Sequence, residues 1–371
     1  MSIEETHERI WPGPLDAFWM LTNRCNLACS FCMVESEPHP KVMTQELTRE
    51  EHLRVAQEML AGEVMRVTLT GGEPTLIPHL EEIVTLLAQG GVYVYLTTNG
   101  MLLTEDRVAR LVEAGLQEGQ ISLNGATAEV NDALMGRHAH HLILRGLGWM
   151  KQAGLRTQVK VTVTRANQHE MLPLIDRLLE FGVNRISLAE VGAMGRANVG
   201  AHWEELKPDL EVLQRLEAEV DAFGDSDRLR FSSMSLTLQS SGKPGLCSLG
   251  SANQVVVTLL PDGSMIPCNA TWHAGIANRV LEHGWIGAYR RLPGLYGHFR
   301  DEAWLPQVCR DCLWLEECQG GCRANAHKVF GTWRAPDPRC PLLLQGDGKT
   351  IGPLHERRTI PIRAVKGGVN L

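Results

Sequence analysis

The chain has 371 residues, 44% apolar and 21% charged, with 36 Lys and Arg against 43 Asp and Glu, a formal charge of −7. That length suits two domains or one large domain with an appendage, and the mild acidic excess gives no support to a nucleic-acid partner, which leaves a basic footprint. No apolar run approaches the roughly 18 residues of a membrane span. Met1–Gly13 carries Glu4, Glu5, His7, Glu8 and Arg9 rather than the basic-then-apolar layout of a signal peptide, so a cytoplasmic location and no membrane partner are expected.

Short apolar runs alternate with helical patterns from residue 15 to about 190. The runs Ala17–Leu21, Val64–Thr70, Val92–Thr97, Gln120–Leu123, Gln158–Val163 and Arg185–Leu188 are rich in Val, Ile, Leu and Thr, as buried parallel strands are. Thr48 with Glu51 predicts a capping box before the stripe Leu53, Ala56 and Leu60. Leu80, Ile83, Val84 and Leu87 fall at helical spacing, as do Met171, Leu174, Ile175, Leu178 and Leu179. Six strand–helix repeats predict right-handed crossovers and a parallel sheet. Periodicity fits an open doubly wound sheet and a curved, partial barrel equally; both place function at the C-terminal strand ends. Residues 203–221 read as one further helix. After about 230 the chain turns rich in Gly, Pro, Cys and Trp without sustained periodicity, so bound clusters are expected to staple it.

Ten cysteines fall in two groups, three within 25–32 and seven within 247–340, with none between. Disulfide scaffolds rarely leave such a gap, whereas metal ligands cluster this way. The first group reads Cys25-Asn-Leu-Ala-Cys29-Ser-Phe-Cys32 and starts just after the first strand. Three thiolates at this spacing hold three irons of a four-iron cluster and leave one iron open to a substrate. A zinc site completed by a remote ligand is the alternative, although zinc knuckles usually pair C-x2-C elements.

C-x3-C-x2-C with Phe31 before the last cysteine resembles the signature of the radical S-adenosylmethionine superfamily. The likeness covers about residues 15–200 and implies a partial (β/α)6 TIM-type barrel of α/β class. It also implies a [4Fe-4S] cluster whose open iron chelates S-adenosylmethionine. Electron transfer from an external flavodoxin- or ferredoxin-type donor splits that molecule to a 5′-deoxyadenosyl radical, which abstracts a substrate hydrogen. Gly71-Gly72-Glu73-Pro74 after the second strand resembles the family's motif for the methionine amino group. Thr98-Asn99-Gly100 and Ser122-Leu123-Asn124-Gly125 fall where the family lines the ribose and carboxylate side. The family usually has Asp at the place of Asn124, so hydrogen bonding rather than ion pairing is expected there. Arg137, Thr164 and Leu188 are weaker carry-overs.

The second group comprises Cys247, Cys268, Cys309, Cys312, Cys318, Cys322 and Cys340. Its spacing resembles the SPASM extension, an irregular domain that binds two auxiliary iron–sulfur clusters; paired zinc sites are the rival reading. The resemblance assigns Cys309, Cys312, Cys318 and Cys340 to a distal cluster. It assigns Cys247, Cys268 and Cys322 to a proximal one that is a protein thiol short. The implied domains are 1–235 for the barrel, 236–345 for the cluster domain and 346–371 for a tail.

Glu190, ending the sixth strand, and His273, near the proximal cluster, are the candidate acid–base residues. Asn269 replaces the acidic residue that sulfatase-maturing relatives carry after their equivalent of Cys268, which counts against that reaction. The family resemblance favours oxidative modification of a ribosomal peptide, as a cross-link or oxidation. A barrel beginning by residue 17 suggests that a peptide substrate would come with a separate leader-binding protein. Dehydrogenation or epimerisation of a small polar metabolite such as an aminocyclitol is the alternative, and a non-catalytic iron–sulfur protein a third.

Overall fold

The computed structural model describes residues 12–36, 45–136, 138–192, 194–198, 201–232, 255–274, 278–296, 299, 301–312, 315–337 and 340. Strands β1 (Asp16–Met20), β2 (Arg66–Thr70), β3 (Tyr93–Thr98), β4 (Glu118–Ser122), β5 (Arg156–Val163) and β6 (Arg185–Glu190) fall where the six apolar runs predict them. Three more strands join the sheet: β7 (Leu229–Ser232), β8 (Val256–Leu259) and β9 (Met265–Ile266). The order is β7-β6-β5-β4-β3-β2-β1-β8-β9, parallel throughout except for the antiparallel β8–β9 pair.

From β1 to β7 the spatial order equals the chain order. A doubly wound sheet reverses direction at a switch point; this one never does. Same-handed crossovers then put every helix on one face, which curls the sheet into a partial barrel left open between β7 and β9. The resulting faces differ. Trp19, Leu69, Val94, Leu96, Ile121, Val159, Val161, Ile186 and Leu188 are fully or almost fully buried in the helix-facing core. The inner face is largely polar from β3 to β5: the Tyr95 hydroxyl lies 2.9 Å from Gln120 Oε1 and 3.1 Å from Gln158 Oε1. Strand β1, by contrast, turns Phe18 and Met20 inward.

Helix α1 (Arg49–Ala61) carries the capping box expected of Thr48 and Glu51. The single helix expected over 203–221 is two, Ala201–Leu206 and Leu210–Phe223. Pro208 separates them, because it lacks an N–H and clashes with the preceding turn. β7 escaped the pattern reading because four residues with exposed Arg230 and Ser232 carry little periodicity. β8 lies within the segment read as irregular, yet it pairs with β1. The β8–β9 hairpin, turning at Gly263 (φ +81°), delivers the chain directly to Cys268. Beyond it the helical stretch Val280–Tyr296 breaks at Gly284 and sends Trp285 into a slot beside Gly13 and Gly62.

A histidine pair with one buried member makes stability depend on pH. His52 is 1% exposed, its Nδ1 lies 3.1 Å from His79 Nε2, and its Nε2 has no partner. Burial, then the neighbouring His79, pushes its pKa down to about 4 from 6.5. The unfolded chain therefore takes up a proton below about pH 6.5 that the folded chain refuses until about pH 4. Stability is complete above this window and falls as pH drops through it, by about 3 kcal/mol in total. Chemical unfolding midpoints measured from pH 7 to 4 should fall less steeply in His52→Leu than in the parent.

Candidate functional site

The loop after β1 carries Cys25, Cys29 and Cys32 to the C-terminal ends of the strands, where they border one cavity of about 380 Å³. That volume lies within the usual range for small-molecule sites, about 300–1,000 Å³. Among the described residues no three His, Cys, Asp or Glu side chains meet closely enough to hold one metal ion; the three thiols are instead spread around the cavity wall. Burial, more than any neighbour, pushes the Cys25 and Cys29 thiols up to about 12. Such thiols ionise only when a metal displaces their protons. Soft sulfur donors around a cavity fit an iron–sulfur cluster.

Arg196, which sequence reasoning did not single out, fastens this loop. Its Nε donates to the Cys29 carbonyl (2.6 Å), its Nη2 to the Ser36 carbonyl (2.8 Å), and its backbone N–H to the Cys32 carbonyl (3.0 Å). Its positive charge also opposes the rise in the Cys29 thiol. Gly195 (φ +57°) makes the approach possible, since a Cβ there would lie 2.2 Å from the Cys32 carbonyl oxygen. No local pattern announces a contact spanning more than 160 residues. Arg196→Met should remove two charge-assisted bonds, each about 1.5–3 kcal/mol. The expected result is severalfold faster loss of iron to a chelator, with the far-ultraviolet spectrum unchanged.

Gly71 and Gly72 follow β2 and border the same cavity. Gly72 N–H donates to the Thr22 carbonyl (2.7 Å) and Glu73 N–H to the Arg24 carbonyl (2.9 Å), locking this turn to the cysteine loop. Glu73 itself does not border the cavity. It is 0% exposed and accepts from Thr75 N–H (3.0 Å), Thr75 Oγ1 (2.5 Å), Thr98 Oγ1 (2.6 Å) and Asn99 N–H (2.8 Å). Burial pushes its carboxyl above the ordinary value against those donors. Glu73 thus holds the end of β3 in place, and does not present a free carboxylate to a ligand ammonium. Pro74 is buried as the first residue of a short 3₁₀ turn.

Phe31, Thr98, Asn99, Ser122, Asn124 and Glu190 all border the cavity. Asn99 Nδ2 donates to Asn26 Oδ1 (2.7 Å) and lies 3.8 Å from Cys25 Sγ. Asn124 is held by three partners. Its N–H donates to Asn131 Oδ1 (2.9 Å), its Oδ1 accepts from Thr162 N–H (2.8 Å), and its carbonyl accepts from Asn167 Nδ2 (2.7 Å). Because the Thr162 N–H fixes which end is oxygen, Nδ2 is the free end, and it is buried without a partner. An orphaned donor at the wall calls for an acceptor on the occupant. An aspartate would present oxygen there; this chain presents N–H. Asn131 and Asn167, both 0% exposed, are positioning residues the sequence did not reveal.

Two expectations fall elsewhere. Leu188 packs in the helix-facing core, because residues of β6 alternate faces and Ser187 takes the inward place. Thr164 is buried against Asn167 Oδ1 (3.1 Å) rather than at the cavity. Arg137 and Cys247 lie outside the described residues. His273 falls in the 3₁₀ turn Asn269–Ala274, directly after Cys268; its side chain is not among those described.

The remaining cysteines gather past the barrel. Cys309 is under the electrostatic influence of Cys340, Cys318 and Cys312, and burial pushes its thiol up to about 12. Cys318 is raised by burial and then by Cys312. This segment packs on rings rather than on a periodic core: Phe299 sits 5.0 Å from Trp304 and 5.1 Å from Trp333. No helix among the described residues is long and apolar enough to cross a membrane.

Residues 19–178 match the Radical SAM superfamily. The mycofactocin maturase MftC of Mycobacterium ulcerans (strain Agy99) is 30% identical over 351 residues, 93% of this chain and 91% of that protein. The PqqA peptide cyclase of Rhodopseudomonas palustris is 29% identical over 367 residues, 95% of this chain and 92% of that protein. Streptococcus suis SuiB bound to S-adenosylmethionine shares the fold, with a TM-score of 0.70 at 20% identity over 89% of this chain and 78% of SuiB. With three cysteines, a paired-glycine turn and an orphaned amide around one cavity at the strand ends, the chain belongs to the radical S-adenosylmethionine superfamily, whose cofactors are a four-iron cluster and S-adenosylmethionine.

Proposed function

We propose that this chain oxidatively modifies a ribosomally made peptide, abstracting a hydrogen from one residue and leaving it cross-linked or oxidised. The observation that carries this reading is the near full-length similarity to a mycofactocin maturase and a PqqA peptide cyclase, over 91% and 92% of their lengths. When bound, the cluster and S-adenosylmethionine supply a one-electron reductive cleavage whose carbon radical removes the substrate hydrogen.

The chain's own residues bind and orient. Cys25, Cys29 and Cys32 hold the cluster, Arg196 fixes their loop, and Asn124 Nδ2 donates to an oxygen of the bound cofactor. Glu73 keeps Thr98 and Asn99 at the cavity wall. Oxidation of the substrate requires a second electron and a proton to leave after hydrogen abstraction. Glu190, which borders the cavity, takes the proton. Cys309, Cys312, Cys318 and Cys340 would hold one auxiliary cluster, and Cys268 and Cys322 with Cys247 the other; such clusters, when bound, would supply an acceptor for that electron. A flavodoxin- or ferredoxin-type protein delivers the priming electron.

The test is mass spectrometry of short peptides encoded beside the gene, after incubation with reduced, iron-reconstituted protein and S-adenosylmethionine. The expected result is a peptide lighter by pairs of hydrogens. Unchanged peptides alongside oxidised or epimerised aminocyclitols would replace this reading with the metabolite one.

A further inference from the structure

Arg323 follows Cys322 at the start of the helix Arg323–Phe330. Its side chain is 1% exposed. Nη1 donates to the Trp333 carbonyl (3.2 Å), while Nε and Nη2 are buried without any partner. Among the described residues no carboxylate forms an ion pair with it. The nearby Asp337 carboxylate accepts from Cys322 N–H (2.8 Å). The guanidinium is also pressed against backbone: a Cβ on Gly320 (φ +82°) would lie 2.9 Å from Nη2. A buried cation left with unspent donors is unfavourable unless an anion meets it.

Cysteines are among the groups within its electrostatic reach. Cys309 and Cys318 both feel the Arg323 charge, and both feel Cys312; Cys309 also feels Cys340. A four-iron centre with four thiolates carries two negative charges, and three after taking up one electron. We propose that Arg323 is the counter-cation of an iron–sulfur centre held by Cys309, Cys312, Cys318 and Cys340, and that its unspent N–H groups donate to that centre's sulfur and set its reduction potential. The inference rests on the auxiliary-cluster reading above. Positive charge and N–H donors favour the more negative, reduced state, so removing them makes one-electron reduction by a low-potential donor harder. Arg323 acts through the centre and is a positioning residue.

The experiment uses full-length reconstituted protein carrying Cys25→Ala, Cys29→Ala and Cys32→Ala, which leaves only auxiliary centres. Iron and sulfide are assayed, and midpoint potentials are read by electron paramagnetic resonance with dithionite as reductant. In Arg323→Gln one of the reduced signals should move to lower potential by at least a tenfold change in the reduction equilibrium, about 59 mV for one electron. Arg323→Lys, which keeps the charge, should move it less. Loss of the centre in Arg323→Gln but not in Arg323→Lys also supports the proposal. Retained iron with an unmoved potential in Arg323→Gln overturns it. Should both variants fail to fold, pulsed resonance on protein with ¹⁵N-labelled arginine and native Arg323 decides: nitrogen coupling to a reduced auxiliary centre is expected, and its absence overturns the proposal. A triple-alanine protein holding zinc, or no metal, defeats the cluster reading itself, which is a separate outcome.

Discussion

Protein with Cys25→Ala, Cys29→Ala and Cys32→Ala is expected to lose reductive cleavage of S-adenosylmethionine completely while keeping its fold. The loop's shape does not depend on its sulfurs. The Cys25 sulfur accepts one backbone bond, from Leu27 N–H at 3.4 Å. The backbone of the loop is held from elsewhere, by Arg196 on the Cys29, Cys32 and Ser36 carbonyls and by Ser30 N–H on the Leu134 carbonyl (3.0 Å). Thermal unfolding of metal-free protein should therefore change by no more than a typical substitution, about 1 kcal/mol per site. Iron per chain should fall by the content of one four-iron cluster. The auxiliary centres should survive, since their thiols lie on other segments.

Gly72→Ala is the second large effect, and it acts through backbone. A Cβ at Gly72 would sit 2.1 Å from the Arg24 carbonyl oxygen and 2.9 Å from that of Asn23. No side chain can rotate to relieve that clash, so the turn after β2 and the loop after β1 must separate. The Gly72–Thr22 and Glu73–Arg24 bonds break with them. Overpacking of this kind costs about 1–3 kcal/mol, and two lost backbone bonds add about 1 kcal/mol each. Because both partners border the cofactor cavity, S-adenosylmethionine binding should fall together with the unfolding midpoint. Gly148→Ala is the control: nothing lies within 4 Å of its Cβ position on the helix His140–Gln152. There alanine should be neutral or stabilising by up to about 1 kcal/mol.

What could be read from sequence was whatever is local. Strands β1 to β6, the capping box at Thr48 and the cysteine trio depend on spacing within about ten residues, and all fall where spacing puts them. Sequential strand order, which makes the sheet a barrel, depends on long-range pairing that periodicity does not carry. β8 illustrates the limit: Val256–Leu259 reads as an isolated apolar scrap until it is seen beside β1. The site divides in the same way. The residue types at Gly71, Gly72, Thr98, Asn99 and Asn124 point to the cavity, but side-chain direction decides their roles. Glu73 is bonded to Thr75, Thr98 and Asn99 and does not border the cavity, which its motif does not reveal. Arg196 is tied to the first cysteine group by contacts no motif encodes, and Arg323 lies buried within electrostatic reach of Cys309 and Cys318 in the second. Pro208 was the one legible break that a helical charge pattern concealed.

The central claim, radical abstraction from a peptide, is tested most directly by isotope transfer. A peptide encoded beside the gene, made with deuterium on every carbon, is incubated with reduced, reconstituted protein and unlabelled S-adenosylmethionine. The expected result is deuterium in 5′-deoxyadenosine, formed in step with peptide lighter by pairs of hydrogen isotopes and absent from the Cys25→Ala, Cys29→Ala, Cys32→Ala protein. Formation of 5′-deoxyadenosine without deuterium, at a rate the peptide does not change, would contradict it.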